Sequence, residues 1–186
     1  MRTRVVVAGV LAGLTVFVWS FVSHELLPLG EAGVSALPDQ YAVLDGLAAG
    51  VPDAGFYFFP FETDAAKMEE AFRTRPRGIL VLTPASEPFH FGRALATEAA
   101  TNVLAGLLAA FVLAAVGPLG WGRRLAFGAA LGAFASLSID FSYWNWYGFP
   151  TEYLASQLLD QVLGWSLAAL LAGWWLARKV TVTPQT

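Results

Sequence analysis

A bundle of four membrane-spanning helices is the fold class this sequence predicts. Its 186 residues are 56% hydrophobic and 13% charged, with a mean hydropathy of +0.57, whereas a soluble domain carries about a quarter charged residues. The apolar residues are also gathered into four long runs rather than dispersed through one core. Between the first two runs lies a segment long enough for a small α/β cap. The expected organisation is therefore a first helix within 1–22, an extracytoplasmic cap over 23–95, three more helices within 96–178 and a cytoplasmic tail over 179–186.

The first run, Val5 to Val22, follows Met1-Arg2-Thr3-Arg4 and has the basic start of a secretory leader. Its apolar stretch is too long for one, and Phe21-Val22-Ser23 lacks the small-residue cleavage pattern, so a retained helix is expected. The other runs are Ala96 to Val116, Leu125 to Phe141 and Leu154 to Ala177, each near the ~20 residues that cross the hydrocarbon. Arg2, Arg4, Arg123, Arg124, Arg178 and Lys179 fall at alternate span ends. The positive-inside rule then puts both termini in the cytoplasm of a bacterial inner membrane, with the Tyr143–Pro150 connection in the outer aromatic belt and Trp121, Trp174 and Trp175 in the inner one.

Ser23 to Leu95 holds ten Asp/Glu against five Lys/Arg and is too apolar for a disordered loop. Pro38-Asp39 opens a predicted helix running to about Ala49, with Tyr41, Leu44, Leu47 and Ala48 on one face. Gly55-Phe56-Tyr57-Phe58-Phe59 and Gly78-Ile79-Leu80-Val81-Leu82 read as strands. Thr63 is the predicted N-cap of a helix between them, from Asp64 to about Arg75, which makes a small βαβ-like unit. Two strands bury little surface, so the cap is expected to lean on the membrane or on another chain, with Phe56, Phe58, Phe59, Phe61, Phe89 and Phe91 as its own core and seat on the bundle or as a partner-docking patch.

Four-residue spacing keeps side chains on one helix face, and each span then shows a stripe of small residues that turns polar toward its outer end. The stripes are Ala8, Ala12, Val16, Ser20 and His24; Glu98, Asn102, Gly106 and Ala110; Gly128, Gly132, Ser136 and Asp140; and Ser156, Asp160, Gly164, Ala168 and Ala172. Small residues let helices approach closely, so these faces should meet other helices. Their polar ends converge on one level, where His24, Glu98, Asn102, Asp140 and Asp160, with Gln157 and Gln161, are the candidates for binding a ligand or proton. Intramembrane carboxylates are costly and face protein interior or water. Such a cluster can be a structural hydrogen-bond network, a site for a hard or borderline divalent cation, or part of a proton or polar-ligand path.

Other chemistries lack their residues. With no Cys there is no disulfide, thiolate zinc site or redox pair. Two histidines cannot support a multi-haem centre, no HExxH, P-loop or GxGxxG is present, and no basic run suits a nucleic-acid backbone. No cofactor is expected. Ser23-His24-Glu25 has triad composition, but consecutive helical residues are expected to point apart.

Trp19 with Ser23-His24, Gly55–Pro60, Tyr143–Pro150, and Asp160 with Gly164-Trp165 resemble small bacterial integral membrane proteins with four helices, a group without a defined activity. The resemblance implies topology and no mechanism. The expectation is thus a non-catalytic accessory or assembly subunit, with membrane lipid and other membrane subunits as partners. The competing reading is a small membrane transporter or enzyme using the His/carboxylate cluster.

Overall fold

The computed structural model describes residues 2–178; Lys179 and the expected tail over 179–186 lie outside them. Four helical segments are long and apolar enough to cross a membrane: Arg2–Leu26, Phe91–Val116, Trp121–Tyr147 and Thr151–Ala177. The protein is therefore a multi-pass membrane protein, and its apolar outer surface contacts lipid. The first segment is α1 (Arg2–Phe21) closed by a π-helical turn at Val22–Leu26. The cap follows as α2 (Gln40–Gly50), β1 (Gly55–Phe59), α3 (Ala65–Thr74) and β2 (Gly78–Leu82), and the remaining segments are α4 (Phe91–Val116), α5 (Trp121–Ser138), α6 (Asp140–Tyr147) and α7 (Thr151–Ala177).

Each span begins earlier than its apolar run, because polar residues such as Arg2, Arg93, Arg123 and Glu152 extend the helices ahead of it. The third differs most. Its helix does not end at Phe141 but bends at Ile139 and resumes as α6, so Tyr143 to Tyr147 are helical rather than a loop. At the bend the Ser138 hydroxyl donates to the Ala135 carbonyl at 3.0 Å, a local bond that competes with the helical ladder. Gly148 ends α6 with φ 74°, where Gly carries no Cβ penalty.

Packing runs from α4 to α1, from α1 to α7 and from α7 to α5. The outer two of these contacts are made by glycine against backbone. A Cβ on Gly9 would lie 2.6 Å from Leu107 Cα, and one on Gly106 2.8 Å from Gly13 Cα, so α1 and α4 touch main chain to main chain. Gly128 and Gly132 do the same for α5 against α7, at 2.6 Å from Ser166 Cα and 2.7 Å from Val162 Cα. Between these pairs Ala8, Ala12 and Val16 of α1, Ala110 and Leu113 of α4, and Ala168 and Ala172 of α7 form the buried core. The buried parts of all four stripes thus face other helices, as the spacing predicts. Gly9 and Gly13, one position along from Ala8 and Ala12, were a second contact face that the single stripe did not include.

One end of the bundle is basic. Arg4 Nη2 donates to the carbonyls of Trp175, Leu176 and Arg178, at 3.2 Å and 3.0 Å for the first two, and so caps the C-terminus of α7. Arg178 stacks over Trp174 at 4.0 Å. Trp121 and Trp174 are exposed, but Trp175 packs inward against the core. Adjacent helical residues cannot share one face, which removes Trp175 from the expected belt.

The cap departs from its expected form in two ways. β1 and β2 pair antiparallel, Gly55 with Leu82 through Phe59 with Gly78, so the unit is a hairpin with a helical excursion rather than βαβ. Parallel pairs need cover on both faces, and here one ten-residue helix is available, held by Phe72 edge-on to Phe58 at 6.3 Å. The N-cap of α3 is Asp64, whose carboxylate accepts from Lys67 N, not Thr63. Asp39 caps α2 in the same way. Phe56 and Phe58 both meet Tyr147 of α6 edge-on, at 6.5 and 6.4 Å, and seat the hairpin on the bundle.

Replacing Gly132 by Leu should cost roughly 1–3 kcal/mol by overpacking against the α7 backbone, whereas Phe134→Leu, on an outward-facing residue, should be near neutral. Thermal unfolding in detergent compares them; equal loss at both positions would refute the glycine contact.

Candidate functional site

The polar ends of the stripes meet at the cap-side half of the bundle, where α7 supplies the most buried members. Asp160 is only 5% exposed, and Ser156 and Ser136 are also buried. Gly164, one turn from Asp160, leaves room for the Trp19 ring: a Cβ there would sit 2.7 Å from Trp19 Cδ1. The indole nitrogen of Trp19 then donates to the Asp160 backbone carbonyl at 3.1 Å. Asp160 is thus held by its main chain, while its carboxylate Oδ1 is buried with no hydrogen-bond partner among the described residues. Ser136 Oγ, on α5, is likewise buried and unpartnered.

The other candidates are distributed rather than joined. Glu98 Oε1 accepts from Asn102 Nδ2 at 2.9 Å, an i,i+4 pair on α4 with Glu98 exposed. Gln161 Oε1 accepts from Trp165 Nε1 at 3.1 Å along α7. Gln157 and Asp140 are half-buried, Asp140 opening α6 at the bend. His24 is exposed and turns back on its own helix. No hydrogen bond among the described residues links two of the seven candidates across helices. Likewise, among the described residues no group of three or more His, Cys, Asp and Glu is arranged to hold a metal ion.

The Ser23-His24-Glu25 segment differs from its expected geometry. The π-helical turn brings Ser23 Oγ within 2.9 Å of His24 Nδ1, so the first two side chains do meet. His24 Nδ1 also lies 3.0 Å from the Ser20 carbonyl. Ser23 Oγ donates to the same carbonyl at 3.2 Å, so the hydroxyl, the imidazole and the Ser20 carbonyl close one local contact at the helix end.

A second concavity lies outside the bundle, between β2 and the start of α4. It is a broad cleft of about 730 Å³ lined by Glu87, Phe89, His90, Arg93 and Glu98, among others. His90 sits here at the N-terminus of α4. The sequence signal for it is the charged and aromatic run from Glu87 to Arg93.

No family model, curated protein or solved structure matches the chain. Of the resemblance, the structure bears out four helices long and apolar enough to span a membrane.

Trp19→Phe keeps the ring beside Gly164 and removes only its N–H, so it should lower stability by ~1 kcal/mol. Unfolding of the purified chain in detergent measures this, and no change would mean that the indole bond does not hold α1 on α7.

Proposed function

We propose that this chain is a non-catalytic accessory or assembly subunit of a larger complex in the bacterial inner membrane. The observation that carries the reading is α2. None of its eleven residues is buried, it packs substantially on no other element, and Tyr41 (73% exposed), Val43 and Leu44 lie open. An isolated helix of that length is marginal in water, so a partner surface accounts for it. Lipid-surface helices carry Lys/Arg on their polar face. This one has none and bears Asp45 after its Asp39 cap, which favours a protein partner. In this reading the basic end, with both chain termini, is cytoplasmic and the acidic cap is extracytoplasmic.

A second reading has its own observation. The unpartnered, buried Oδ1 of Asp160 suits a titrating or ligand-binding carboxylate, which would make the chain a transporter or enzyme working with His24, Glu98 and Asp140.

A photo-crosslinking residue at Tyr41, introduced into the full chain in native membranes, is expected to capture one discrete protein; adducts to lipid alone would refute the subunit reading. A reporter fused after Thr186 should be active only in the cytoplasm, and one inserted near Asp64 only outside. Asp160→Asn retains shape and most hydrogen bonding while losing the charge. Folding, crosslinking at Tyr41 and the cellular phenotype should all survive it. A folded Asn variant with the phenotype lost would transfer the case to the transporter or enzyme.

A further inference from the structure

The basic end carries a built site that neither reading above uses. A cleft of about 170 Å³ is lined there by Arg4 and Val5 of α1, Leu113 and Ala114 of α4, Arg124 of α5 and Gly173 of α7, with the Gly117–Leu119 turn closing one side. Its two arginines come from different helices and are only half-exposed. Each has one nitrogen committed to backbone: Arg4 Nη2 to the end of α7, and Arg124 Nε to the Leu119 carbonyl at 2.8 Å. Among the described residues Arg4 Nη1 and both Nη atoms of Arg124 have no hydrogen bond. The sequence has no Asp or Glu from Gln161 onward, none before Glu25 and none between Glu98 and Asp140, so no acidic side chain of these segments can neutralise the two guanidinium groups.

Arginine forks match phosphate oxygens in geometry as well as charge. The N-terminus of α5 opens beside the cleft without a side-chain cap, and its dipole also favours an anion. A second cavity supplies the rest of an amphiphile's requirements. This furrow of about 510 Å³ between α1 and α4 is lined by Arg2, Val5, Val6, Phe111, Ala114 and Ala115, and it shares Val5 and Ala114 with the cleft. Charged pocket and apolar furrow are therefore continuous around those two side chains. The geometry points to a binding site for one anionic glycerophospholipid, its phosphate between Arg4 and Arg124 and an acyl chain along the α1–α4 furrow. The site does not depend on the subunit reading, and it stands whichever leaflet the basic end occupies.

The test is native mass spectrometry of the full chain in detergent micelles doped with dioleoyl phosphatidylglycerol or dioleoyl phosphatidylcholine. One phosphatidylglycerol should be retained in preference to phosphatidylcholine. Arg124→Gln should weaken that retention about tenfold, as expected for losing charge-assisted bonds, while Arg123→Gln, on an exposed neighbour outside the cleft, should leave it unchanged. Equal loss from both variants would reduce the effect to diffuse surface charge and overturn the site. Ala115→Phe fills the exposed furrow without touching an arginine, so it should also lower retention. It decides the matter if Arg124→Gln fails to fold, and unchanged retention in it would refute the acyl-chain half of the proposal. Millimolar inorganic phosphate should compete poorly; displacement of the lipid by it at comparable concentration would mean that the cleft is a phosphate site with no lipid specificity.

Discussion

Backbone contact through glycine is the constraint on which this bundle depends. Lipid tails are as apolar as leucine, so burying large side chains gives little drive for helices to associate in a membrane. What remains is close approach. Gly9, Gly13 and Gly106 bring α1 and α4 together, and Gly128 and Gly132 bring α5 onto α7. The two pairs are then joined along α1 and α7, with Arg4 fixing the register at the basic end and Trp19 at the other. Two hydrogen-bonded anchors on one pair of antiparallel helices leave that pair no freedom to slide by a turn.

Tight packing at the glycines also determines where polar groups can reside. Helices in backbone contact leave no space for long side chains, so the buried polar residues on the contact faces are Ser23, Ser136, Ser156, Ser166 and one carboxylate, Asp160. The larger groups, Glu98, Gln157 and Asp140, lie where the bundle opens toward the cap or where α5 bends. This gradient explains why four stripes that converge in sequence do not converge into one hydrogen-bonded cluster. Asp160 is retained in the interior because Gly164 below it makes room for Trp19, whose indole grips the same turn.

The spans and their buried faces were legible because helical period and small-residue stripes are properties of one chain segment. Ala12, Gly132, Gly164 and Asp160 all lie inside, as read. Pairing geometry was less legible. The antiparallel register of β1 with β2 depends on how much cover the cap can offer its strands, which no local pattern encodes. The Ser23–His24 contact required a π-helical turn, invisible to a 3.6-residue count. The bend at Ile139 lies beside Ser138 bonding back to Ala135, a bond that Ser156 also makes to Tyr153 within the unbroken α7, so no local pattern marks it. The basic cleft was missed because Arg4 and Arg124 were counted as orientation signals, and their proximity arises only once α1, α5 and α7 are packed.

The interior between Asp160 and the basic end bears on the choice between a passive and a conducting protein. A proton or polar solute moving from the cap side would need groups to hold it below Asp160, or water. The faces that meet there are Ala12, Ala110, Leu113, Phe127, Trp165, Ala168 and Ala172, around a central void of only about 10 Å³. That is at the lower limit for a single water, and a water also needs two or more polar partners, which alanine and leucine do not supply. Any path from the cap side to the basic end would therefore have to separate helices held at backbone contact. The Asp160 carboxylate can still serve as a polar lock on α7, while the hairpin is seated on α6 through Tyr147.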